Sequence, residues 1–175
     1  MGVLIGAGLA AVTTLVLLAG AAGHVLRPDA LRDALRAHET VPARLVVPVA
    51  VAVPVAEGGA ALLGAFALFT GWPAGLRTAM AWSAALLACY GAYAFVVARS
   101  RSGVPCGCSA DGTPMTGWVA ARAAVLGLLS AVAAVAADSA ADLDGGRLAT
   151  VLLAGGVFGM LLWELPVTMS RGVPR

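Results

Sequence analysis

Five stretches of this chain are apolar enough and long enough to cross a lipid bilayer, and nothing else in the sequence limits the fold so strongly. About 20 mostly apolar residues span the hydrocarbon core as a helix. Residues 2–23 (GVLIGAGLAAVTTLVLLAGAAG), 43–69, 74–98 and 117–137 meet that length, and 147–165 is a shorter fifth run closing at WELP. In lipid a chain has to pair its own backbone N–H and C=O groups, so isolated runs of this kind fold as helices. Composition agrees: 61% of the 175 residues are hydrophobic and 11% are charged, against about 25% charged in a soluble domain. One small soluble core cannot bury so much apolar surface. The expected architecture is all-α, a polytopic membrane helical bundle of four to five transmembrane helices forming one integral membrane domain over residues 1–175. The first run ends in small residues, as signal peptides do. It lacks a basic leading region and outruns a signal's apolar core, so it reads as a retained span.

Residues 28–38 (PDALRDALRAH) change character. Pro28 suits a first helical position. Ala30, Leu31, Ala34 and Leu35 share one face, while Asp29, Arg32, Asp33 and Arg36 share the other, with opposite charges three apart. The segment predicts either a short amphipathic interfacial helix lying among the headgroups or an ordinary polar connector. Small-xxx-small pairs at Gly2/Gly6, Ala19/Gly23 and Gly155/Gly159 are spaced for close helix packing. The net charge of +2 is small and its arginines are scattered, which leaves membrane lipid as a partner and excludes nucleic acid.

Five spans place the 24–42 and 99–116 connections on one face of the membrane. Arg27, Arg32, Arg36, Arg44, Arg99 and Arg101 flank that face, joined by Arg171 and Arg175, whereas Arg77 and Arg147 flank the other. The positive-inside rule then sets the shared face in the cytoplasm of a cell (inner or plasma) membrane, where thiols rest reduced.

That face carries the loop SGVPCGCSADG, with Cys106 and Cys108 one residue apart. A Cys-x-Cys pair can close a strained, easily reduced disulfide that passes oxidising equivalents onward. Gly107 eases the turn between them and Pro105 fixes the entry of the loop. Two small apolar residues in a tight turn are the plainer reading. No second Cys pair or nearby His completes a zinc site on this loop. Cys89 lies about 14 Å down the third span by helix rise and reads as a small buried hydrophobe.

Within the second span, Glu57 follows Pro54 by three residues and precedes two glycines. An intramembrane carboxylate faces protein or a wet cavity and has a partner, and a proline frees a backbone carbonyl, so PVAEGG predicts a locally opened helix. Its uses are a proton relay, a hydrogen bond to a quinone-like headgroup, or a polar tie between helices. Arg122, five residues into the fourth span, is the natural counter-charge, although helix rise sets it about 12 Å above Glu57. His24 at the end of the first span offers an acid-base group. Trp72, Trp82, Trp118 and Trp163 sit near span ends, as interfacial anchors do.

These motifs, in this order, resemble a known family. HVLRPDALRDALRAHETVPARLVVPVAVAVPVAEGGAALLGA is similar to the first half of MauE-type proteins, the methylamine-utilisation membrane family allied to DoxX-like bundles. VPCGCSADGTPMTGWVAARAAVLGLL resembles that family's C-x-C-F-G loop and the following helix with its early arginine. The resemblance covers about residues 1–137 and marks Pro54, Glu57, Cys106, Cys108 and Arg122. Two positions depart from it: His24 stands where the family often has Lys, and Ser109-Ala110 replace Phe-Gly. The resemblance implies a part in maturing a periplasmic, disulfide-rich dehydrogenase subunit, and more generally a membrane thiol-redox role.

Two functions remain open at this stage. One is a membrane thiol-disulfide oxidoreductase or protein-maturation factor. Its Cys106 and Cys108 exchange with a thioredoxin-like or disulfide-bearing client, with a quinone as electron acceptor and Glu57, Arg122 and His24 moving protons. The other is a non-enzymatic assembly or transport factor whose Cys loop is structural; a small transporter with Glu57 as its coupling site is a third reading, and five spans without an inverted repeat argue against it. An oxidative role wants the cysteines outside, against the arginine asymmetry.

Overall fold

The computed structural model describes residues 2–107, 114–140 and 143–171. Among the described residues seven helices follow one another: α1 Gly2–Leu26, α2 Pro28–His38, α3 Ala43–Thr70, α4 Pro73–Ser100, α5 Gly117–Val135, α6 Ala137–Ala140 and α7 Gly145–Arg171. All but α2 and α6 are long and apolar enough to cross a membrane. The chain is thus an all-α, multi-pass membrane bundle, and its outer surface suits lipid: Val55, Leu62, Phe66, Leu153 and Met160 are each more than half exposed.

Local chemistry sets the helix ends. Pro28 and Pro73 open α2 and α4, where a missing N–H is no loss. Gly71 closes α3 at φ 64°, its N–H returning to the Ala67 carbonyl, a left-handed cap that glycine adopts without strain. Two expected boundaries move. The polar connection after α5 contains the short α6, tied to the start of α4 by an Arg77–Asp138 ion pair at 2.6 Å. The last helix runs six residues beyond the expected end at 165.

α1 is the axis of the bundle, packed against α3, α5 and α7. Without a hydrophobic drive between helices in lipid, small residues and polar ties hold such contacts. Gly155 and Gly159 fill that role: a Cβ at Gly155 would sit 2.9 Å from the Ala11 Cβ, and one at Gly159 would sit 3.3 Å from Val16. Gly6 lies equally close to Ala136. The Ala19/Gly23 pair packs nothing at Gly23, which faces open space. Across α1 and α5, the Ser130 hydroxyl donates to Thr13 Oγ1 at 3.1 Å within a fully buried site.

Candidate functional site

A cavity of about 280 Å³ opens between α1, α3, α4 and α5 beneath α2 and the Cys loop. Its walls are mainly Val and Leu, into which a few polar groups converge. His24 comes from α1, Glu57 from α3, Tyr90 and Tyr93 from α4, Arg122 from α5 and His38 from α2. Cys106 lines the same space.

Glu57 occupies the middle of α3 and is buried. His24 stands beside it, Nε2 to Oε2 at 3.7 Å, with both side chains over nine-tenths covered. That separation allows attraction and is too long for a hydrogen bond. The Tyr90 hydroxyl faces the same carboxylate. Neither Glu57 Oε2 nor Tyr90 Oη makes a hydrogen bond of good geometry among the described residues. On the fourth side Gly20 brings the α1 backbone close, since a Cβ there would sit 3.1 Å from Glu57 Oε2.

Arg122 is within electrostatic reach of Glu57. Its Nη1 donates to the Trp163 carbonyl at 3.3 Å, and its guanidinium lies over the Trp163 ring, 5.4 Å from the centroid. The loop before α5 packs into the bundle, with Cys106 and Met115 both buried. Trp163, read as an interfacial anchor, also carries this arginine.

The sunken loop is held from above by α2. His38 is 1% exposed and sits between two partners, Tyr93 Oη at 2.8 Å from Nδ1 and the Pro105 carbonyl at 2.7 Å from Nε2. A carbonyl can only accept, so Nε2–H donates to Pro105. With that tautomer the Tyr93 hydroxyl donates to Nδ1 and accepts from Thr40 Oγ1 at 2.9 Å. Glu39 reaches Arg101 at 2.7 Å. Gly107 has φ +76°, and a Cβ there would stand 2.7 Å from the Ala34 Cβ. Only glycine fits both the turn and the contact. An antiparallel bridge from Pro105 to Pro114 and the Met115 N–H donating to the Val104 carbonyl close the loop's base.

The structure brings four of the expected residues, His24, Glu57, Arg122 and Cys106, to one cavity. Cys108 lies outside the described residues. Pro105 and Gly107 shape the loop as described. Pro54 does not line the cavity, and α3 continues through it as unbroken α-helix. Pro54 has no N–H to give the Ala50 carbonyl, yet the helix runs on past it. The amphipathic segment is a helix, but Leu31, Ala34 and Leu35 turn toward the cavity and the Cys loop rather than lipid. Its Asp29–Arg32 and Asp33–Arg36 pairs form on the outer side. Cys89 is a free thiol on the exposed side of α4, not a buried one, whereas Cys106 is not a free thiol.

His38, Tyr90, Tyr93 and Gly20 were not singled out from the sequence. A histidine closing an amphipathic helix was the one available signal. The tyrosines and the glycine look like ordinary span residues until the helices are packed.

The family model for methylamine utilisation protein MauE matches residues 2–136, a stretch that includes every cavity residue named above except Trp163. No curated protein and no solved structure matches the chain.

Proposed function

The chain belongs to the MauE family, and from that premise we propose that it is a membrane thiol–disulfide exchange factor acting on a partner protein through Cys106 and Cys108. The observation that carries the reading is the shared cavity, which sets Cys106 in one enclosed space with His24, Glu57 and Arg122. Intramembrane ionisable groups that converge on a cavity are ordinarily functional, and here they converge behind a cysteine. Cys106 is engaged while Cys89 is a free thiol, which supports a pairing of Cys106 with Cys108.

The exchange balances as follows. A partner thiolate attacks one sulfur of the oxidised pair, so one S–S bond breaks as a mixed disulfide forms. The partner's second thiolate then displaces the remaining bond. The partner leaves as a disulfide, and Cys106 and Cys108 are left as a dithiol holding two electrons and two protons. A thioredoxin-like protein would exchange by the same two displacements in reverse.

Trapping tests the reading. Cys108→Ser should accumulate a mixed disulfide through Cys106, visible on non-reducing gels and lost on adding reductant, or Cys106→Ser should do so through Cys108. The exposed charged face of α2 suits the competing function, a docking surface for a non-enzymatic assembly factor. In that case the double Ser variant keeps full function and neither single variant traps a partner.

A further inference from the structure

Exchange with a partner loads two electrons onto the cysteines, and the cavity behind Cys106 has the chemistry to take them away. We infer that this cavity binds the head group of a lipid-soluble quinone, seated between Cys106 on one side and Glu57 with Tyr90 on the other. The electron transfer rests on the exchange function proposed above; the binding site does not.

Size is the first argument. A space of about 280 Å³ stands at the lower end of small-molecule sites, which run from about 300 Å³ upward. It admits a single substituted ring and not a folded isoprenoid tail. The lining residues Val49 and Val53 are only half-buried on α3, so a tail can pass between them into lipid.

Polar satisfaction is the second. Glu57 Oε2 and Tyr90 Oη are both buried and face each other without forming a hydrogen bond of good geometry among the described residues, whereas such groups ordinarily have a well-formed one. The Glu57 side chain is 7% exposed. An acyl chain in the cavity would offer neither atom a better partner. A quinone carbonyl accepts from the Tyr90 hydroxyl, and from Glu57 when the carboxyl carries its proton. The quinol O–H donates back to the carboxylate when it does not. A ligand that alternates between acceptor and donor thus matches a carboxyl that does the same. Gly20 leaves the wall beside the carboxylate clear, and Arg122 balances its charge from above.

The chemistry closes on these residues. Two S–H bonds at Cys106 and Cys108 are lost and one S–S bond forms. The two electrons reduce the quinone ring and the two protons finish on its oxygens, one of them through Glu57. The thiols are oxidised and the quinone leaves as quinol.

Binding can be measured without electron transfer. The full chain in lipid nanodiscs, its cysteine pair kept oxidised, is titrated with decyl-ubiquinone, following tryptophan fluorescence. Trp163 lines the cavity and should report the ring. The expected result is a saturable quench. It should be about tenfold weaker in affinity for Glu57→Gln and for Tyr90→Phe, abolished by Gly20→Val, and largely lost in amplitude in Trp163→Phe. No saturable quench, or an affinity indifferent to all three cavity substitutions, overturns the inference. Quinone binding without any trapped partner would remove the exchange function and leave the site; a trapped partner without quinone binding would do the reverse.

Discussion

Among the described residues, His38 ties the Cys loop to the helix above it through the Pro105 carbonyl, and replacing it has a calculable effect. In His38→Ala the Pro105 carbonyl loses its donor, and the Tyr93 hydroxyl keeps only Thr40. Leaving one buried acceptor unpaired costs about 1–3 kcal/mol. The bundle does not depend on this contact, because its helices also pack on one another through the α4–α5, α1–α3 and α1–α7 pairs. The loss therefore falls on the local opening of the loop, not on global unfolding. At about 2 kcal/mol the open population rises about 30-fold.

Cys106 reports that opening directly, since it is 7% exposed when the loop is closed. In a Cys89→Ala, Cys108→Ser background it is the single thiol, and its alkylation by a maleimide in excess proceeds only through open states. The rate should rise about 30-fold in His38→Ala. His38→Gln, whose amide N–H can still reach a carbonyl, should raise it by less than about fivefold. The melting temperature should hardly move in either. Equal alkylation rates in the alanine variant and its parent would refute the claim that His38 holds the loop. A large fall in melting temperature would show instead that the contact supports the whole bundle.

Three further outcomes are expected. Gly107→Ala forces a left-handed φ on a residue with a Cβ and drives that Cβ to 2.7 Å from Ala34; about 1–3 kcal/mol of strain should lift α2 from the loop, raising Cys106 alkylation as His38→Ala does. Gly155→Leu should lower the melting temperature measurably through overpacking of about 1–3 kcal/mol, because its Cβ meets Ala11 and the Val12 backbone; Gly8→Ala, with nothing within 4 Å, is the control and should be neutral. The positive-inside expectation puts the Cys face in the cytoplasm; on that expectation a membrane-impermeant maleimide on intact cells should fail to label Cys106 in the Cys89→Ala, Cys108→Ser, His38→Ala protein and should label it after lysis.

The spans were legible because length and hydropathy alone decide whether a helix can cross lipid. Glu57 and Arg122 were legible for the opposite reason: a charge within such a run is rare enough to stand out. What the sequence withholds is rotation. A lipid-facing helix is apolar on its outer side as well as its inner one, so no periodic stripe marks the face turned toward its neighbours. Tyr90 and Gly20 are invisible for this reason, and so is the outward direction of Cys89. Pro54 was legible as a lost helix bond, but the sequence does not say that α3 runs on past it.

The amphipathic segment exposes a related limit. Periodicity correctly gave α2 an apolar face but could not say what covers it. Lipid headgroups and a folded loop demand the same pattern of Leu31, Ala34 and Leu35. What separates the two is His38, on the same face one turn beyond Ala34. A membrane surface offers a buried imidazole no pair of fixed partners, whereas a docked loop offers a carbonyl and a phenol at hydrogen-bond distance. A histidine at the end of an amphipathic stripe, followed across the membrane-face connection by a Cys-x-Cys loop, is thus a sign that the helix is a lid over that loop. His24 carried no such sign. It closes an apolar run, and only the packing of α1 on α3 sets it 3.7 Å from Glu57.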